Sequence, residues 1–146
     1  MHSKKAAELW KRLREFEFPG GFAERLAKEQ SWSLDYATRA IEEYRRYMYL
    51  LMAAGHRVSP SQVVDEVWHL HLIYTHSYWD ELCDQVLRFR AHHNPGTGEP
   101  GDEERFAGQY QRTKDSYDRF FGKHPCDIWC VSLQDSREPK PQTVLY

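Results

Sequence analysis

Chemically active side chains are concentrated in the segment VDEVWHLHLIYTHSYWDELC, residues 64–83, and in the loop that follows it. They are His69, His71, His76, Cys83, His92 and His93. Neutral imidazoles and thiolates are the ligands that zinc and similar borderline metals take at four-coordinate sites. The spacing, HxH followed by a distant cysteine and an HH pair, matches none of the common zinc-finger patterns. The residue types therefore suggest a metal site, and the spacing does not identify it.

Helical geometry constrains which of these side chains can meet. Residues three, four or seven apart share a face, so one unbroken helix would align five of them. These are Asp65, His69, His76, Asp80 and Cys83. His71 lies about 200° around the axis from His69. A straight helix therefore cannot direct both rings to one point, so one of the two must have another role unless the chain departs from a helix there.

The elements that carry these residues are predicted to be helices, because apolar residues recur at helical spacing through nearly the whole chain. A first helix is expected over residues 3–16 and a short second helix over 22–30. Ser33 caps a third, which ends at Gly55. For the fourth helix, SPSQ (residues 59–62) supplies a cap at Ser59, a first-turn proline and a capping-box partner.

The histidine segment is predicted to divide into two helices near Tyr74–Ser77, because Thr75 and Ser77 each offer a second N-cap. A Gly/Pro loop over residues 92–104 then precedes a last helix that ends before Gly122. The sequence thus predicts an all-α fold of about six helices. It places a single helical domain at residues 1–122 and an irregular, extended C-terminal tail, packed on the domain or projecting from it, at residues 123–146.

Bulk composition excludes several classes of protein. The net charge is −2 over 146 residues, with acidic and basic residues mixed, so no basic stripe is available for nucleic acid. No run of about 18 apolar residues and no signal peptide is visible, which predicts a cytoplasmic protein without a membrane partner. The three cysteines, Cys83, Cys126 and Cys130, are interpreted as thiols. A Cys126–Cys130 bridge is expected only in an oxidising compartment.

The run VDEVWHLHLIYTHSYWDELC, followed by HHNP, resembles the glycine-rich domain-containing protein-like family of bacteria and plants. That family is of unknown function, and its recurring elements are WHxH, a tyrosine, and a cysteine before a histidine-bearing loop. Further similar segments extend the resemblance over about residues 22–129. The glycine-rich segment that names the larger members is missing here, so the resemblance implies a fold and a residue set but no activity.

Carried over to this chain, the resemblance implies a functional set of seven residues. They are Trp68, His69, His71, Tyr78, Cys83, His92 and His93. His76 stands where the family has a basic residue, and Cys130 stands where relatives have proline. For these reasons His76, Cys126 and Cys130 are not assigned to the site.

The favoured hypothesis is a metal-binding helical protein of unknown activity, with a divalent metal, preferably zinc. Its predicted ligands are His69, His71, Cys83 and His92, with His93 as the alternative to His92. Residues expected to orient a ligand or contact a substrate are Asp65, Trp68, Tyr78 and His93. A carboxylate such as Asp65 commonly orients a ligating imidazole.

Two alternatives remain open at this stage. One is a small enzyme, either metal-dependent or using Cys83 as nucleophile with a histidine as base. In such a site Asp65, His71, Tyr74 and Tyr78 supply acid, base or substrate contacts. The other is a metal-free protein-interaction module whose aromatic residues bind a partner. No sequence signature fixes a reaction, and the identity of any protein or small-molecule partner stays undetermined.

Overall fold

The computed structural model describes residues 3–94 and 98–130. Within these ranges the chain forms seven helices and no strand, which confirms the predicted all-α fold. They are α1 (Ser3–Glu15), α2 (Phe22–Gln30), α3 (Leu34–Ala53), α4 (Gln62–Ile73), a π-helix (His76–Leu87), α5 (Asp102–Phe121) and α6 (Cys126–Trp129). In the described part of the chain, none of the helices is both long enough and apolar enough to cross a membrane.

Helix α3 forms the centre of the fold and contacts α1, α2, α4 and α5. It starts as predicted, because Ser33 Oγ accepts a hydrogen bond from the Tyr36 backbone N–H at 3.1 Å. Its buried face comprises Ala37, Ala40, Ile41, Tyr44, Tyr47, Met48 and Leu50. Burying each of the larger apolar side chains stabilises the fold by about 1.5–3 kcal/mol. The helices that carry the histidines are packed on this frame.

The start of α4 differs from the prediction by two residues. Ser61, not Ser59, is the N-cap, and its Oγ accepts from the Val64 N–H at 3.1 Å. Ser59 instead joins the α4 entrance to α5: its hydroxyl accepts from the Gln109 amide and its N–H donates to Thr113 Oγ1. Both serines are suitable N-cap residues. Ser61 takes this role because the hydrogen bonds of Ser59 are made to α5.

The predicted division of the histidine segment is confirmed. Helix α4 ends at Ile73, and Tyr74 leaves the helical region with φ −85° and ψ 73°. The next helix, from His76, has π-type hydrogen bonds, which run between residues i and i+5. Each residue of a π-helix therefore turns by less than the 100° of an α-helix. The face that one straight helix would have shared from Asp65 to Cys83 does not form.

Residues 123–130 were predicted to begin an irregular tail, packed on the domain or projecting from it, and within this segment the chain forms the short helix α6. Ile128 and Trp129 on this short helix are fully buried. The Trp129 indole N–H donates to Glu43 Oε1 at 2.8 Å, so that a buried carboxylate of α3 gains a partner from the C-terminal segment. These two buried apolar side chains of α6 thus complete the core. The rest of the predicted tail, residues 131–146, lies outside the described residues.

Candidate metal centre

Asp65, His69 and His93 form a two-histidine cluster beside α4. Asp65 and His69 lie one turn apart on that helix, and His93 comes from the loop after the π-helix. The two Nε2 atoms are 3.1 Å apart. Asp65 Oδ1 lies 2.5 Å from His93 Nε2, and Asp65 Oδ2 lies 3.4 Å from His69 Nε2. Three potential ligand atoms from distant parts of the chain thus lie within 4.8 Å of one another.

The convergence of two Nε2 atoms is chemically informative. A neutral imidazole nitrogen either carries a proton or offers a lone pair. If both Nε2 atoms were protonated toward Asp65, their hydrogens would crowd each other across the 3.1 Å gap. If only one of them carries a proton, its N–H donates to the other ring or to Asp65. If neither does, two lone pairs and a carboxylate face one point, and this arrangement suits a bound cation.

The spacing of the donors can be compared with that around zinc. A tetrahedral zinc ion with bonds of about 2.0–2.1 Å holds its nitrogen and oxygen ligands about 3.3 Å apart. Two of the three distances in the cluster, 3.1 Å and 3.4 Å, are close to this value. The third, 2.5 Å between Asp65 and His93, is shorter. Binding a metal therefore requires these two side chains to separate by under about 1 Å.

The cluster is partly accessible to solvent. The side chains of His69, His93 and Asp65 are 10%, 19% and 29% exposed. Burial lowers the pKa of His69, and the neighbouring His93 lowers it further, while Asp65 acts in the opposite direction. A lowered pKa keeps the imidazole neutral near pH 7, and the neutral ring is the form that binds a metal.

Trp68 and Tyr78 hold His93 in place. The Trp68 ring lies 4.3 Å from the His93 ring, and its indole N–H donates to the Tyr78 hydroxyl at 2.9 Å. Tyr78 in turn donates to the carbonyl of Ala91, two residues before His93. Both aromatic residues were expected to support the site, and the structure shows the contacts through which they reach the loop. Burial raises the pKa of Tyr78, so the phenol remains a donor.

His71, a predicted ligand, lies in a separate pocket. Its Nδ1 is 2.8 Å from the Tyr44 hydroxyl and its Nε2 is 2.9 Å from Ser77 Oγ, so both ring nitrogens have a protein partner. Aromatic rings surround it, contributed by Phe16, Phe18, Phe22, Tyr44 and Tyr78. Burial lowers the pKa of His71 to about 3. The ring is therefore a neutral, hydrogen-bonded component of the core.

Cys83 and His92 also lie apart from the cluster. Cys83 is fully buried, and burial raises the pKa of its thiol. His92 is exposed and packs on Trp79 at 5.1 Å between ring centroids. Of the four predicted ligands, the structure brings only His69 to the cluster. His71 lies on another face of α4, and the π-helix and the loop after it direct Cys83 and His92 elsewhere.

Of the remaining two members, Asp65 was predicted as a supporting residue, and His93 as a supporting residue or as the alternative ligand to His92. The i,i+4 spacing of Asp65 and His69 is a signal for a shared site, but it is common on helices and weak by itself. Nothing in the HH pair indicates which ring turns inward. His76, which was not assigned to the site, is exposed and lies 2.8 Å from Asp80, its neighbour one turn on.

Comparison with known proteins corrects the family assignment. Residues 8–107 match the family described as UCP032817-like, and this match covers more than half of the chain, including the whole two-histidine cluster. The predicted membership of the glycine-rich domain-containing protein-like family was wrong, because the family model that matches residues 8–107 is that of a different family. No curated protein and no solved structure matches the chain. The chain belongs to the UCP032817-like family, whose function is not characterised.

Proposed function

We propose that this protein binds one divalent metal ion through Asp65, His69 and His93. The observation that carries the proposal is the placement of two imidazole Nε2 atoms and a carboxylate within 4.8 Å of one another. Zinc is the favoured ion, because imidazole and carboxylate both bind it and the distances are close to those of its tetrahedral coordination. Fe(II) is the main competitor, because two histidines and one carboxylate form its facial binding set.

A metal-dependent enzyme is the second candidate. Structural zinc sites have four protein ligands, whereas catalytic sites have three and leave a position for water or substrate. The cluster supplies three donors, and the 29% exposure of Asp65 places the cluster near solvent. A metal held there would lower the pKa of a bound water and so provide a nucleophile near neutral pH.

The test is metal analysis of the full chain, purified without an affinity tag, followed by competition with a chromophoric chelator. We expect about one ion per chain. Asp65→Asn, His69→Gln and His93→Gln should each weaken binding at least about tenfold, since each removes a ligand. His92→Gln is the matched control, because it changes the adjacent histidine of the same loop and should keep the parent affinity.

Cys83→Ser distinguishes the two ligand sets. If Cys83 is a ligand, as in the set predicted from the sequence, this variant should lose most of its metal affinity. If the two-histidine cluster binds the metal, the metal affinity should be almost unchanged. Metal far below one equivalent in the folded parent, with no rise in melting temperature on adding zinc, would overturn the proposal. That outcome would favour the metal-free interaction module.

A further inference from the structure

A second group of metal-ligand side chains lies at the C-terminal end of the described chain, about thirty residues after the first. A ring nitrogen of His124 and the sulfur atoms of Cys126 and Cys130 lie within 4.8 Å of one another. The two cysteines are one helical turn apart at α6, and their sulfurs form a disulfide in the structure. This cysteine cluster lies outside residues 8–107, the segment that matches the family.

His124 is oriented by a carboxylate. Its Nδ1 is 2.7 Å from Asp118 Oδ1, and its backbone N–H donates to the same oxygen at 2.9 Å. A protonated Nδ1 leaves the lone pair on Nε2. Metal-binding histidines commonly show this arrangement, in which a carboxylate holds one nitrogen and fixes the tautomer so that the other can bind. His124 is only 8% exposed, so its ring has little freedom to turn away.

The α6 turn is fixed independently of its cysteines. Ile128 and Trp129 are fully buried. Asp127 accepts two hydrogen bonds from the Arg39 guanidinium, at 2.6 Å and 2.8 Å, and its carbonyl accepts from Tyr36. These contacts hold the turn in place whether or not the sulfurs are bonded. Cys126 is exposed, so a reductant and a metal ion can reach the sulfurs.

We propose that, when the disulfide is reduced, the cysteine cluster is a zinc site with Cys126 Sγ, Cys130 Sγ and His124 Nε2 as ligands. A dithiol reductant supplies two electrons and two protons, which convert the S–S bond into two thiols while the reductant itself becomes a disulfide. The incoming ion then displaces both thiol protons and binds two thiolates and a neutral imidazole. Thiolates select soft or borderline ions, which separates this site from the oxygen-containing two-histidine cluster. Disulfide and metal are mutually exclusive at these sulfurs.

The experiment uses the full chain with the substitution His69→Gln. This substitution removes a ligand from the two-histidine cluster, so that metal bound there does not complicate the titration. Reduced protein is titrated with Co²⁺, whose bonds to thiolates give a near-ultraviolet charge-transfer band. We expect the band to saturate at about one ion per chain, to disappear on adding zinc, and to be absent from the oxidised protein. Cys83→Ser is the matched control and should keep the band.

Variants assign the ligands. Cys126→Ser and Cys130→Ser should each remove most of the band, His124→Gln should weaken cobalt binding at least about tenfold, and Asp118→Asn should weaken it by about tenfold. Circular dichroism checks that each variant remains folded. Reduced, folded protein without the band overturns the proposal, as does an affinity unchanged by His124→Gln. A band in the His69→Gln protein, together with a parent protein that holds no metal while its disulfide is intact, would support this site and refute the two-histidine cluster.

Discussion

His69 and His71 are two residues apart on the same helix and lie in opposite kinds of environment. His71 is fully buried, with a hydroxyl on each ring nitrogen and aromatic rings around it. His69 is partly exposed and faces a second imidazole and a carboxylate. Hydroxyl partners satisfy a neutral ring completely, whereas two imidazoles and a carboxylate that face one point form a donor set that suits a cation. The comparison shows that the partners of an imidazole, and not the motif that contains it, determine its chemistry.

The largest effect is expected from removing the buried ring. His71→Ala leaves a cavity and removes the partners of Tyr44 and Ser77, so we expect the free energy of unfolding to fall by about 3–4 kcal/mol. His69→Ala should cost about 1 kcal/mol in metal-free protein, because Asp65 and His93 can still pair. Urea unfolding in the presence of a chelator measures both. Equal losses would show that the two histidines have the same structural role.

Acidification should sharpen the contrast. The pKa of His71 is about 3 in the folded protein, against an ordinary value of 6.5. The unfolded chain therefore binds the extra proton between these values, and stability falls as the pH decreases through this window. From pH 7 to pH 5 this one group should remove about 2 kcal/mol. In His71→Gln that contribution is absent, so the stability difference between parent and variant should shrink by about this amount. A difference that is independent of pH would contradict a neutral, buried His71.

A smaller effect is expected from the residues that position the second imidazole. Trp68→Phe keeps a ring against His93 but removes the hydrogen bond to Tyr78, which should cost about 1 kcal/mol of stability. We also expect metal affinity at the two-histidine cluster to fall by about tenfold, as happens when supporting groups of metal sites are changed. Trp79→Phe is the control, because Trp79 packs on His92 instead. Equal affinities in the two variants would count against Trp68 as a positioning residue.

The smallest effect is expected at His92. This exposed side chain lies outside the cluster, so His92→Ala should change the free energy of unfolding by less than about 0.5 kcal/mol. Chemical denaturation of the metal-free protein gives the value. If His92→Ala lowered the free energy of unfolding as much as His93→Ala does, then His92, and not His93, would face the site.

Local sequence signals determined much of the backbone. Apolar spacing placed the helices, and Ser33 fixed the start of α3. The division after α4 falls where it was predicted, but Thr75 makes no side-chain capping hydrogen bond and Ser77 contacts His71 instead. These signals act within a few residues, so one sequence is enough to detect them. They were less reliable at the start of α4, where Ser59 and Ser61 both suit the N-cap. They also missed α6, a four-residue helix that depends on burial against α3.

The composition of the candidate site was decided by the tertiary structure. The sequence supplied the donor types and the segment. The π-helical winding and the Tyr78–Ala91 contact place His93, and not His92 or Cys83, beside His69, while His71 faces the core from another side of α4. Such contacts join residues far apart in the chain, and a change of one residue in register turns a different side chain inward. The local sequence therefore determines which donor side chains are available, whereas their convergence at one point is a property of the folded chain alone.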